Sequence, residues 1–164
     1  MKIGVPKETF PGEHRVAIVP SALPLFIKAG HEVIVESGAG TAAGFPDGEY
    51  TAKGGRIAGS RTEVFAEGDV ILQVRGLGAN PDAGRSDLSH MKPGQSLIAL
   101  LEPLTAKDEM NALAGRGVSA FSMELMPRIT RAQSMDSLSS MATIAGYKAV
   151  LIAAVELPRM FPMM

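Results

Sequence analysis

The chain has 164 residues, 46% of them hydrophobic and 20% charged, with a formal net charge of −1. That length suits one compact domain with a sizeable core; the apolar share excludes a disordered polymer, and the near-neutral balance offers no field for nucleic acid or acidic lipid. Cysteine is absent, which removes disulfides, thiolate metal sites and Cys nucleophiles and fits a reducing cytoplasm.

The opening residues, MKIGVPKE, put charge and proline where a signal peptide needs an apolar stretch. Lys2 to Val5 reads as a short strand ended by Pro6, followed by the polar stretch Lys7 to Arg15 and then Val16 to Val19 before Pro20. Ser21 to Ala29 has helical composition, with Pro24 in its first turn and Gly30 as a stop. His31 to Glu36 (HEVIVE) is β-branched and alternating, so strand, helix and strand follow within the length of one βαβ unit. Asp47 to Lys53 reads as a short helix, Arg56 to Ala58 as a small strand, and Arg61 to Ala66 as another short helix. Asp69 to Val74 (DVILQV) is nearly continuous in its apolarity, as in a strand covered on both faces. Gly76 to Pro93, rich in Gly, Pro, Asp and Ser, predicts an irregular surface excursion. Leu97 to Leu101 is a buried strand, Thr105 to Ala114 a helix with Asp108 and Glu109 in its first turn, and Val118 to Met123 the last strand.

Strands alternating with helices predict a doubly wound α/β domain, its sheet mostly parallel and covered by helices on both faces. Beyond Pro127 the texture changes: Arg128 to Asp136 is polar, and Ser137 to Met160 shows one long helical pattern of mostly small residues, broken at Pro158. The longest apolar run, Ala149 to Val155, covers about a third of what a bilayer span needs. A soluble piece with no direct membrane insertion is expected. Met163 and Met164 form an apolar end without capping chemistry, read as pointing to a cut or cleaved chain.

Several motifs invite a chemical reading. Gly38-Ala-Gly40-Thr-Ala-Ala-Gly44 follows a strand and offers the glycines of a phosphate cradle. It runs into the turn chemistry of Phe45-Pro46-Asp47-Gly48 rather than a helix, and its strand does not open the unit, so the structural reading is preferred. Gly76-Leu-Gly78 is weaker still. His14, His31 and His90 lack ligand spacing, and no metal site is expected. Arg15, soon after strand one, suits a carboxylate or phosphate at the strand ends, and equally a salt bridge to Glu13 or Glu36. Most chemical content lies in Arg128 to Ser140, where Arg128, Arg131, Gln133, Asp136, Ser139 and Ser140 offer a cation, a carboxamide, a carboxylate and hydroxyls. Asp136 as a plain N-cap, with Ser139 in the first turn, is the alternative reading.

The start, MKIGVPKETFPGEHRVAIVP, the section Val35-Glu-Ser-Gly-Ala-Gly40 through Tyr50, and above all Met123-Glu-Leu-Met-Pro-Arg-Ile-Thr-Arg-Ala-Gln-Ser-Met-Asp-Ser-Leu-Ser-Ser140 with Ala145-Gly-Tyr147 resemble the alanine dehydrogenase and pyridine nucleotide transhydrogenase superfamily. The last run is close to the transhydrogenase signature, and the resemblance spans essentially the whole chain. It implies the N-terminal subdomain of the NAD(H)-binding component of a proton-translocating transhydrogenase. Residues 1–135 would be the α/β subdomain, and 136–164 a linking helix toward an absent Rossmann domain that carries the dinucleotide fingerprint. The resemblance further implies that Arg128, Gln133, Asp136 and Ser139 contact NAD(H), with Gln133 and Asp136 at the reacting ring and Gln133 nearest the NADP(H) of a partner component. Other implied partners are a membrane proton-channel subunit and a second copy of the full-length component, at a cytoplasmic location peripheral to the inner membrane. Hydride would pass directly between nicotinamides, with no general acid or base needed from this chain. The alternatives are the N-terminal domain of an alanine dehydrogenase-like amino-acid oxidoreductase and a non-catalytic interaction module. The former, by resemblance, uses a Lys and a His where Arg75 and Glu102 stand here, which disfavours it.

Overall fold

In a computed structural model that describes residues 1–160, the chain divides into two compact units, Met1–Ser122 and the stretch from Met123 onward. The first contains one six-stranded sheet: β1 (Lys2–Val5), β2 (Glu32–Glu36), β3 (Arg56–Ala58), β4 (Val70–Arg75), β5 (Ser96–Leu100) and β6 (Ser119–Ser122). All neighbours pair in parallel, in the order β3-β2-β1-β4-β5-β6. The chain therefore winds outward from β1 to β3, crosses back to β4, and winds out the other way to β6. This is the doubly wound arrangement expected from alternating elements.

The pleat sorts the apolar residues into two cores. Val33 and Val35 of β2 join Ile3 and Val5 of β1 on one face, with Leu23 from α1 (Leu23–Lys28) and Tyr50 from α2 (Asp47–Ala52). Ile34 points to the other face with Ile71, Leu97 and Ala99. There it meets Val64 and Phe65 of α3 (Arg61–Glu67), the partly buried Leu88 of α4 (Pro81–His90), and Leu113 of α5 (Lys107–Gly115). Successive side chains of a strand point to opposite faces, so one short β-branched run feeds both cores.

Local chemistry accounts for the helix starts. Ser60 caps α3, its hydroxyl accepting from the Glu63 amide at 3.2 Å, while Glu63 accepts from the Gly59 amide at 2.9 Å. Two expectations are corrected. The stretch from Gly76 to Pro93 is not an irregular excursion: a 3-10 turn, Leu77–Ala79, leads into the ten-residue helix α4, with Leu77, Ala79, Gly84 and Asp87 buried. Thr105 does not open its helix; α5 begins at Lys107 with Ala106 at the cap, and the Thr105 hydroxyl bonds back to the Glu102 carbonyl at 3.2 Å.

The second unit holds 3-10 turns at Met123–Leu125 and Thr130–Met135 and the 20-residue helix α6 (Ser137–Glu156). By length and mean hydropathy, 1.6 over its best 18-residue stretch, α6 is apolar enough to cross a bilayer. The length of the longest unbroken apolar run does not register this, because Thr, Gly, Tyr and Lys interrupt the apolar residues. The core helix of a soluble protein passes the same test when it is mostly buried, whereas no residue of α6 is buried within the described residues. The expectation attached to Met163 and Met164 lies outside the described residues.

Candidate functional site

In a parallel sheet the carboxyl ends of the strands are where ligands settle, most of all where the winding reverses, here between β1 and β4. The chain fills much of that edge with its own groups. Arg15 donates to Glu13 through Nε (2.7 Å) and Nη2 (2.6 Å), so the salt-bridge alternative is the observed one, with Glu13 rather than Glu36 as its partner. Arg75, at the end of β4, also donates to Glu13 from Nε (3.1 Å) and lies 4.3 Å over the Phe10 ring. With two guanidinium groups on it, the Glu13 carboxyl falls to a pKa of about 2, the Arg15 hydrogen bond being the main cause. Glu8 accepts from the amides of Val74 (2.6 Å) and Arg75 (3.1 Å).

Next to these, Arg61 at the start of α3 grips Asp87 of α4 in two-pronged fashion, 2.5 and 2.6 Å, and donates to the Lys7 carbonyl and, at 3.4 Å, to Glu36. The side chain of Asp87 is only 3% exposed. Gln73 donates to it at 3.1 Å. Glu102 follows β5 with a φ of 49°, a left-handed conformation that a non-glycine residue adopts at a cost of about 1–3 kcal/mol. Gly78 packs against this turn so closely that a Cβ there would lie 1.8 Å from the Leu101 carbonyl oxygen.

The glycine cluster after β2 is occupied as well. Asp47, the first residue of α2, accepts from the Ser37 hydroxyl and the Gly38 amide, both at 2.8 Å. Gly40 abuts Tyr50, whose hydroxyl donates to the Ile18 carbonyl at 3.0 Å. These glycines serve packing and turn geometry. The histidines are dispersed: His90 ends α4 with its ring 6.1 Å from that of Phe65, and His31 precedes β2. Among the described residues no group of three or more His, Asp or Glu could hold a metal ion.

The second unit behaves differently. Arg128, Gln133, Asp136 and Ser139 all line one concavity of about 330 Å³, together with Ile129, Thr130 and Ser140. Its geometry follows from the start of α6. Asp136 is the N-cap, accepting from the Ser139 amide at 3.0 Å and from the Ser139 hydroxyl at 2.6 Å. These bonds, the hydroxyl first, hold the Asp136 carboxyl below its ordinary pKa, so it stands ionised at neutral pH. The capping alternative is thus observed, and it fixes both side chains against one wall. Arg128 and Gln133 are exposed, and no side-chain hydrogen bond or ion pair joins either to another described residue. Arg131 does not line the concavity. Thr130 and Ile129 do, unnoticed in the sequence because neither residue type distinguishes a wall from a turn.

Comparison with known proteins gives this geometry its context. The chain matches the family model "Alanine dehydrogenase/PNT, N-terminal domain" over residues 4–145. It is 44% identical, over its whole length, to an NAD(P) transhydrogenase subunit alpha polypeptide of Rhodospirillum rubrum, spanning 42% of that protein. The crystal structure of transhydrogenase from Sinorhizobium meliloti superposes with a TM-score of 0.89 at 41% identity, over 100% of this chain and 47% of that one. The alanine dehydrogenase of Methanococcus maripaludis is 32% identical over 94% of this chain and 39% of its own. The chain therefore spans less than half the length of these relatives. It belongs to the alanine dehydrogenase/PNT N-terminal domain family, and is more similar to the transhydrogenase alpha subunit of Rhodospirillum rubrum than to that alanine dehydrogenase.

Proposed function

We propose that the chain is the N-terminal portion of the NAD(H)-binding component of a proton-translocating NAD(P) transhydrogenase, and that its bend from Arg128 to Ser139 orients the nicotinamide of NAD(H). The observation that carries this reading is the concavity itself. An exposed cation and an exposed carboxamide, Arg128 and Gln133, share it with an ionised carboxylate and a hydroxyl pinned by the helix start. That donor and acceptor set is complementary to a carboxamide, a ribose and a diphosphate. Bound NAD(H) supplies the hydride-transfer chemistry. The chain's own role is geometric: Gln133 and Asp136 hold the ring in register and keep water from it, and Arg128 and Ser139 complete the grip. Asp136, held ionised, is not a proton donor.

On this reading Gln133 lies nearest the NADP(H) of a partner component. The complex also includes a membrane proton-channel subunit and a second copy of the component, at the cytoplasmic side of the inner membrane. Residues 1–135 act as the α/β subdomain, and 136–164 link it to a dinucleotide-binding Rossmann domain, so that α6 is a linking helix rather than a membrane span. Amino-acid oxidation fits less well, because Arg15 and Arg75 are both already engaged by Glu13. A non-catalytic module does not account for the gathering of Arg128, Gln133, Asp136 and Ser139 in one concavity.

The deciding experiment is a crystal structure of the full-length component with NADH; side chains of Gln133 and Asp136 far from the nicotinamide end the assignment. The chain alone is expected to bind NADH weakly, since about four polar contacts of ~1 kcal/mol each meet ordering costs of similar size. A titration giving micromolar affinity contradicts that.

A further inference from the structure

The two faces of the sheet are not equally covered. In β2 three successive residues, Val33, Ile34 and Val35, are all buried, because α1 packs on one side and α3 on the other. In β4 and β5 burial alternates instead. Ile71, Leu97 and Ala99 are buried in the core with α3 and α5, while Val70, Val74, Ile98 and Leu100 point the other way and are only partly covered. Phe121 of β6, in register with Ile98, is 56% exposed. None of these five is packed into either core, since the helices on their side, α1 and α2, lie over β2 and β3. Beside them on β5 and β6 stand only Ser96 and Ser119, so that side of the two strands carries no charge. A parallel sheet is ordinarily covered by helices on both faces. Here three strands lack one.

The chain also holds a helix without a sheet. α6 has 20 residues, none of them buried, and only Lys148 and Glu156 are charged. Ile144, Tyr147, Leu151 and Val155 follow at helical spacing and are between 46% and 82% exposed. Val150 and Ile152 are exposed on other sides of the same helix. From Ile144 to Val155, therefore, no polar stripe is reserved for water, which is the pattern of a helix covered by protein. Three strands about 5 Å apart make a bed wide enough for one helix about 10 Å across.

We propose that α6 of a second copy of this chain lies on the β4–β5–β6 face, and that the contact is reciprocal, each copy giving its helix to the other. Two-fold exchange covers both apolar surfaces with one interface. Two helices about 30 Å long on two sheet faces bury on the order of 1,200 Å², within the range of a specific dimer, and one such contact alone falls below it. The contact uses none of the side chains assigned above to NAD(H), so nicotinamide binding and dimer formation fail separately.

Because the chain lacks cysteine, single introduced thiols report the contact without background. A tagged Ile98→Cys chain mixed with an untagged chain carrying Tyr147→Cys, Leu151→Cys or Val155→Cys should give a disulfide-linked dimer of tagged with untagged copies. Ile98→Glu should raise the dimer dissociation constant roughly a hundredfold in sedimentation, because it sets an unpaired charge in an apolar contact. Its far-ultraviolet circular dichroism should be unchanged. Absence of the mixed dimer with all three helix positions overturns the contact, and so does a chain that sediments as a monomer at every concentration. If the double variant Ile98→Cys with Leu151→Cys closes its disulfide within one polypeptide, and none forms between tagged and untagged copies, the chain's own helix occupies the face and the proposal fails. If Ile98→Glu does not fold, Leu151→Glu on the exposed helix reads the same dissociation, and an unchanged constant there refutes the exchange.

Discussion

At the carboxyl edge of the sheet, Arg15, Arg61 and Arg75 all close onto carboxylates of the chain itself, whereas in the bend before α6 no side-chain hydrogen bond or ion pair joins Arg128 or Gln133 to another described residue. The two regions draw on the same residue types. At the edge, cation and anion are both supplied by the fold, and the result is rigidity. In the bend, the anion Asp136 caps the helix start, and Arg128 and Gln133 stand exposed beside it. Side-chain chemistry alone therefore does not mark a ligand site; how much of its hydrogen-bonding capacity the fold itself uses is the second test.

The largest expected effect breaks the edge. Arg61→Ala leaves the buried Asp87 carboxylate with Gln73 as its remaining side-chain donor and no cation beside it, and should cost roughly 3–5 kcal/mol in urea unfolding. The double change Arg61→Met with Asp87→Leu should recover most of it. Equal losses in single and double variants would show that the pair is not what holds α3 to α4.

Next in size is the acid response. Glu13 has a depressed folded pKa, so its contribution is present above its ordinary value of 4.5 and is lost as pH falls toward about 2. Glu13→Gln should remove that acid-side loss. Glu8 has the opposite sign: its raised pKa means that stability declines as pH rises from 4.5 through the folded value. Glu8→Gln should flatten that decline and leave the acid-side loss intact. Unfolding curves collected across pH read both slopes, and identical slopes in the two variants contradict the assignment.

The bend is sharpened by smaller changes. In the complete complex, Gln133→Ala should lower hydride transfer about tenfold at saturating NADH, more than it weakens NADH binding. A loss confined to binding would misplace Gln133. Arg128→Ala should leave stability within about 0.5 kcal/mol, since the side chain is exposed and its pull on the Asp136 carboxyl is weaker than that of the Ser139 bonds. It should nevertheless weaken NADH binding by the full-length component, and a variant with unaltered affinity removes Arg128 from the grip.

Much of the architecture is legible in the sequence. β1 and β3 occupy the ranges read from their apolar runs, and α2 and α3 end within a residue of expectation, because alternation and caps are written locally. α4 is not legible, because Pro, Gly, Ser and Asp have poor helix propensity. Its stability comes from outside its own sequence: Gly84 lies against Leu77, and Asp87 is held by Arg61, 26 positions away. The bend is legible as a run of polar residues, yet the sequence does not separate an N-cap from a ligand contact, and in the structure Asp136 and Ser139 form the cap. Glu8, and the second bond that Glu13 makes to Arg75, escape notice because a carboxylate in a polar loop looks solvated until the strand ends that receive it are known.

By itself the sequence determined the succession of the six strands and of the helices other than α4, their apolar faces, and a polar bend before a long helix. These depend on side-chain periodicity and near-neighbour hydrogen bonds, which act over a few residues. Tertiary structure alone decided the strand order, the reversal between β1 and β4, and which charges are consumed internally. Those outcomes depend on groups far apart in the chain, such as Glu8 with Val74 and Arg61 with Asp87, meeting where water is largely excluded and a charge must find a partner.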